Sequence, residues 1–127
     1  FTDWRSGNPI RIEHWRTAEQ QGRIAAHNML TQNALYDGIP FFWSKQGDLN
    51  VKYVGHAPEW DELLTYGDMS SGNGLVLYVK DERVLAAAGI GRGQEIGAIH
   101  QLMHLNSLPH PDELRDKDVD FVALLQK

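Results

Sequence analysis

An α+β fold, an antiparallel sheet of about five strands with helices packed on one side, is predicted by three features of the sequence. A capped amphipathic helix stands near the start, strand-like segments fill the middle, and helical patterns return at the end. The 127 residues form a single domain, 1–127, on ordinary size grounds. Hydrophobic residues are 42% and charged residues 23%, a balance that supplies a core and argues against disorder.

The first helix is signalled by a capping box, Thr17-Ala18-Glu19-Gln20, in which the Thr17 hydroxyl would cap the Gln20 amide and Gln20 would reach back. The pattern continues to Leu30, with Ala18, Gly22, Ala25 and Met29 on one face. Gly22 costs roughly 1 kcal/mol of helix propensity, which close approach of another backbone would explain. That stripe faces either the domain's own sheet or a neighbouring domain outside this sequence. Ile39-Pro40-Phe41-Phe42-Trp43 then reads as a strand, and 49–54 alternates with period two until Gly55-His56-Ala57-Pro58 breaks it. Residues 59–66 suit either a helical turn or a strand and are assigned to a strand. After the loop 70–74, residues 75–79 and 84–89 form a hairpin across a four-residue polar connection, Lys80-Asp81-Glu82-Arg83. Residues 95–105 form a second helix with Ile96, Ile99, Leu102 and Met103 as its apolar stripe. Pro109 and Pro111 bracket a loop, and 120–125 is a short terminal helix.

Composition excludes several functions. Twelve basic residues against 17 acidic give a formal charge of −5, so no nucleic-acid partner is expected. No apolar run approaches about 18 residues, so no membrane association is expected. The absence of cysteine removes disulfides, thiolate-ligated zinc, iron–sulfur ligation and thiol catalysis, and suits a reducing, cytoplasmic setting. The chain opens Phe1-Thr2-Asp3-Trp4 without a methionine or a signal pattern, and so reads as a fragment of a longer protein.

Four clusters hold residue types that could carry chemistry. Gly89-Ile90-Gly91-Arg92-Gly93 lies between a strand and a helix, but Gln94 stands where a dinucleotide loop needs glycine, so it reads as a turn. His100 and His104 share a helix face without the glutamate or third ligand of a zinc site, and read as a surface pair. The run 113–118 interleaves both signs of charge, as a solvated face does. Glu13-His14-Trp15 is denser and directly precedes the first helix, where the dipole favours neutral histidine. Its ordinary structural role would be Trp15 stapling the helix start with His14 capping it.

Arg11-Ile12-Glu13-His14-Trp15-Arg16-Thr17-Ala18, then Gln21-Gly22-Arg23-Ile24-Ala25-Ala26 and Asn28-Met29-Leu30, resembles the start of the C-terminal domain of FAD-dependent NAD(P)H oxidoreductases. Within that pyridine nucleotide-disulphide oxidoreductase group, the branch is that of ferredoxin reductases, rubredoxin reductases and apoptosis-inducing factor. Pro40-Phe41-Phe42-Trp43-Ser44 and Val51-Lys52-Tyr53-Val54-Gly55 resemble two further segments of that family. The likeness is specific from Phe1 to about Gly89, and general beyond Gly93.

The resemblance implies a domain that closes over the flavin of its parent and shapes the electron-acceptor surface. Glu13 and His14 match positions beside the isoalloxazine and nicotinamide, and Trp43 matches a tryptophan at the flavin edge. No catalytic residue and no metal are implied, because hydride transfer belongs to the cofactor. FAD and NAD(P)H would bind the full-length parent, with neither expected on the fragment, which would be inactive alone. The implied partners are the N-terminal FAD and NAD domains of the same chain and an iron–sulfur electron acceptor. Self-association of the fragment is expected through surfaces those domains would cover. Lys45 departs from the family, where aspartate commonly follows the serine. The competing reading is a stand-alone interaction or dimerisation module without flavin chemistry.

Overall fold

The computed structural model describes residues 1–30, 33–115 and 119–126. It divides into two compact units, Phe1–Pro40 and Phe41–Lys127. No helix among the described residues is long and apolar enough to cross a membrane.

In the first unit, helix α1 spans Trp15–Met29. Its cap, His14, lies three residues before the predicted cap Thr17. His14 has extended backbone (φ −102°, ψ 136°), and its side chain accepts from the Arg16 amide at 3.4 Å. Thr17 is buried inside the first turn, and its hydroxyl bonds the Tyr36 phenol. That phenol also donates to the Gln20 Oε1 at 3.1 Å, so a distant residue has taken both members of the expected box. Burial, above all, raises the Tyr36 pKa above its ordinary 10.0. The face carrying Ala18, Gly22, Ala25 and Met29 is exposed, Met29 by 82%.

The second unit is the predicted antiparallel sheet of five strands. Strand β1 (Phe41–Gln46), β2 (Leu49–Gly55), β3 (Glu62–Asp68), β4 (Asn73–Lys80) and β5 (Arg83–Ile90) lie in the order β1-β2-β5-β4-β3. Residues 59–66, ambiguous in sequence, supply most of β3. The β4–β5 hairpin is tighter than the predicted four-residue connection. Lys80 pairs with Arg83, leaving Asp81 and Glu82 in a two-residue turn with φ of 48° and 56°. Both positive angles are those of a type I′ turn, whose twist matches the strands. The Asp81 amide is anchored by the Asp61 carboxylate at 3.0 Å.

Helices α2 (Gly93–His104), α3 (Pro111–Leu114) and α4 (Phe121–Leu124) follow. The sequence shows no helical period at α3, which lies between the loop bracketed by Pro109 and Pro111 and the charge run 113–118. It is one turn, started by Pro111, whose missing N–H costs nothing at that position, and by His110 accepting from the Asp112 amide at 3.3 Å. The Asp120 carboxylate caps α4 through the Val122 and Ala123 amides, both at 3.0 Å. Asp116, Lys117 and Asp118 of the charge run lie outside the described residues.

Alternation along each strand assigns the two faces of the sheet. Val54, Leu75, Leu77, Leu64 and Ala87 are buried on one face with Ile96, Ile99, Leu102 and Met103 of α2, the stripe predicted for that helix. Two glycines place α2. A Cβ on Gly89 would meet the Ile96 Cγ1 at 2.9 Å, so the bare backbone lets α2 lie against β5. Gly91 turns the chain at φ +67°, where a Cβ would also strike the Gly72 carbonyl at 2.6 Å. The opposite face carries an aromatic row of Phe42, Tyr53, Tyr78 and Trp60, with ring centroids 5.2 to 5.9 Å apart.

Tyr66 ties the later helices to β3. Its ring meets Phe121 edge-on at 5.7 Å and its buried hydroxyl donates to the Leu114 carbonyl. Tyr66→Phe should cost about 1–3 kcal/mol, because the carbonyl loses its buried donor. Urea unfolding measures this, and an unchanged midpoint would show the bond to be dispensable.

Candidate functional site

Glu13 and His14 lie in the first unit, at the entry to α1. Glu13 is exposed and pairs with Arg11 at 2.6 Å. The His14 ring lies 5.7 Å from the Trp15 ring, tilted by 35°, while its Nδ1 is turned back onto the Arg16 amide. That bond makes Nδ1 an acceptor and holds the imidazole at the helix entry. Trp15 itself is 61% exposed.

Trp43 lies in the second unit, on the edge strand β1 and the helix side of the sheet. Its cross-strand partner is Lys52, and the row continues through Gly89, Leu75 and Tyr66. At 42% exposed, its indole stands at the rim of the apolar layer. The Trp43 ring lies 6.1 Å from that of Phe41, and Phe41 meets the His100 imidazole edge-on at 5.8 Å. His100 is therefore half-buried beside β1 rather than part of the expected surface pair, while His104 remains exposed. Sequence reasoning pairs neither Phe41 with Trp43 nor His100 with Phe41. The i, i+2 spacing of Phe41 and Trp43 was the available signal, whereas the contact with α2 is set by Gly89.

Beside this rim runs an open polar groove of ≈ 630 Å³ lined by Lys52, Asn73, Gly91, Arg92, Gly93, Gln94 and Glu95. The Lys52 ammonium lies so near the backbone that a Cβ on Gly93 would sit 2.6 Å from it. Arg92 is turned onto Glu95 at 2.9 Å. The glycine loop thus forms the strand-to-helix turn expected of it.

A separate charged cluster joins α3 to β3 and the β4–β5 turn. Arg115 donates to both Glu62 oxygens, at 3.1 and 2.8 Å, and also pairs with Asp112 and, at 3.6 Å, Glu82. Glu82, His110 and Asp112 hold ligand-type atoms within 4.8 Å of one another, but all three are exposed. The Arg115 guanidinium already supplies a positive charge there, and His110 Nδ1 is engaged by the helix cap. The arrangement acts as an ion-pair tie.

The profile of the family described as "Reductase C-terminal" matches residues 41–125. The chain is 33% identical over 120 residues to the anthranilate 1,2-dioxygenase system ferredoxin–NAD(+) reductase component of Burkholderia cepacia, covering 94% of this chain and 30% of that protein. It is 28% identical to apoptosis-inducing factor 3 of Homo sapiens, over 98% of this chain and 20% of that protein. Among solved structures, the covalent putidaredoxin reductase–putidaredoxin complex matches with a TM-score of 0.87 and 26% identity, over 99% of this chain and 30% of that one. An antiparallel five-stranded sheet with helices is the architecture the chain shares with that reductase. The chain belongs to the reductase C-terminal family, and it spans less than a third of the length of these relatives.

The charged cluster has a defined pH response. Hydrogen bonding to Arg115, the largest cause, holds the Glu62 carboxyl below its ordinary 4.5. A lowered folded value means that the pair's stabilisation is complete above the ordinary value and is lost as pH falls through the lowered one. Glu62→Gln should therefore flatten the acid side of the stability profile between about pH 6 and pH 3. Parallel profiles for the two proteins in thermal melts would contradict this.

Proposed function

We propose that this chain is the C-terminal domain, 1–127, of an FAD- and NAD(P)H-dependent oxidoreductase. It closes over the flavin and shapes the surface on which an iron–sulfur electron acceptor docks. The observation that carries this reading is Trp43, a tryptophan presented at the rim of a packed domain and 42% exposed. Large aromatic rings normally complete cores, and an indole left at an edge strand offers its plane to something outside. The relatives named as ferredoxin reductases, and the neighbour solved with putidaredoxin, support the class of chemistry.

The residues suit a flavin. Trp43 supplies an apolar ring that is 42% exposed. Glu13 supplies an exposed carboxylate and His14 an imidazole fixed at a helix entry. When bound, the flavin would supply hydride acceptance from NAD(P)H and onward electron transfer. Trp43 would exclude water from the flavin edge, and Glu13 with His14 would set local charge and hydrogen bonding. In this reading the binding folds for FAD and NAD(P)H belong to other domains of the same chain, and the exposed α1 stripe is one seat for them.

Three outcomes test this. In the complete protein, Trp43→Ala should lower kcat/KM for an iron–sulfur acceptor roughly tenfold or more. The melt should drop by only about 1 kcal/mol in stability, against the roughly 3–5 kcal/mol of a buried tryptophan, and a core-sized loss would remove the flavin-edge role. The isolated chain given FAD and NADH should reduce ferricyanide no faster than free flavin does, and turnover above that background contradicts the division of labour. The isolated chain should also self-associate with rising concentration through its uncovered α1 face. A strict monomer in sedimentation at high concentration counts against that face as a seat.

A further inference from the structure

Helix α2 packs mainly on β2 and β5, and β1 is the edge strand beyond them. The register names the neighbours that could orient an indole placed there. Lys52, the cross-strand partner of Trp43, carries a flexible four-carbon stem that fixes no plane. The next position in that row is Gly89, which has no side chain. Phe41, two residues back along β1 on the same face, is the rigid neighbour. Its ring lies 6.1 Å from the indole and is inclined to it by 47°.

Phe41 is itself braced from two directions. Its cross-strand partner is Val54, which is fully buried. From α2 comes His100, whose imidazole meets the phenyl ring edge-on at 5.8 Å with an interplanar angle of 82°. His100 follows Ile96 by four residues and Ile99 by one, so it stands at the border of the stripe that packs on the sheet. It is half-buried, whereas His104, one turn further on, is exposed. An imidazole suits such a border, because it joins a flat ring for packing to a polar tip that tolerates the rim. Aromatic pairs in this geometry favour a defined relative orientation beyond simple burial. The three rings therefore form a line from the helix to the edge of the sheet: His100, Phe41, Trp43.

We propose that His100 is a positioning residue for Trp43, acting through Phe41 to hold the indole in the orientation that electron transfer at the flavin edge requires. This assignment rests on Trp43 facing the flavin edge, as proposed above. His100 itself touches neither flavin nor acceptor. It narrows the angles open to the Phe41 ring, and Phe41 in turn narrows those open to the indole. A histidine that only stabilised the fold would contribute equally whether or not Trp43 were present, and that difference makes the role testable.

The test uses the complete flavoprotein with NADH and a [2Fe–2S] ferredoxin as acceptor. His100→Ala should lower kcat/KM for ferredoxin about fivefold, and should shift the visible flavin spectrum in the direction that Trp43→Ala shifts it. His100→Phe, which restores a ring at that place, should recover most of both. His104→Ala, on the exposed residue one turn away, should change neither. The decisive comparison is a double-mutant cycle. In the Trp43→Ala background, His100→Ala should have no further effect on kcat/KM, because the group it orients is gone. Phe41→Leu serves where His100→Ala does not fold, with the same loss in the wild type and the same silence without Trp43. A full-sized loss from His100→Ala in the Trp43→Ala background, or no recovery with His100→Phe, overturns the assignment. The two levels separate on the single variants. If Trp43→Ala changes rate and spectrum while His100→Ala changes neither, the positioning role alone falls. If Trp43→Ala leaves both unchanged, the flavin-edge reading falls and takes the assignment with it.

Discussion

The approach of α2 to β5 over Gly89 is the constraint on which most of the second unit depends. A side chain there would collide with Ile96, so Ile96 or the helix that carries it would have to shift. With the helix seated, Ile96, Ile99, Leu102 and Met103 fill the layer against Leu75, Leu77 and Ala87. The same seating brings His100 beside Phe41 and Gly93 beside Lys52. The surroundings of Trp43 are thus a consequence of one missing Cβ.

Much of this fold was legible because periodicity reports burial directly. The apolar stripe of α2 appears where the pattern placed it, and 49–54 and 75–79 are strands, although burial along 49–55 rises toward Gly55 instead of alternating. What was not legible depended on partners far away in sequence. Thr17 and Gln20 carry the signature of a capping box, yet both are bonded by Tyr36, and His14 caps the helix instead. The β4–β5 turn was read as too long because Asp81-Glu82 lacks the glycine that usually marks a type I′ turn. Helix α3 is a single turn, too short to show a period.

The candidate site divides in the same way. Trp43, Glu13 and His14 were found by resemblance, since no composition or spacing rule singles out a tryptophan in an aromatic strand. Its neighbours required the register. Lys52 faces Trp43 only because the β1–β2 turn pairs Gln46 with Leu49, and His100 reaches Phe41 only because α2 is seated by a glycine. An edge strand also explains how the indole remains 42% exposed on a face whose centre is fully covered. Position at the rim, more than residue type, leaves it partly exposed.

The central claim is that this domain completes a flavin-dependent reductase encoded in the same chain. Purification of the natural full-length protein, followed by its visible absorption spectrum before and after NADH under anaerobic conditions, tests this most directly. The account predicts about one flavin per chain, bleached by NADH, with the spectrum altered by Trp43→Ala. A natural protein that starts near Phe1, carries no flavin and shows no visible absorbance would contradict it.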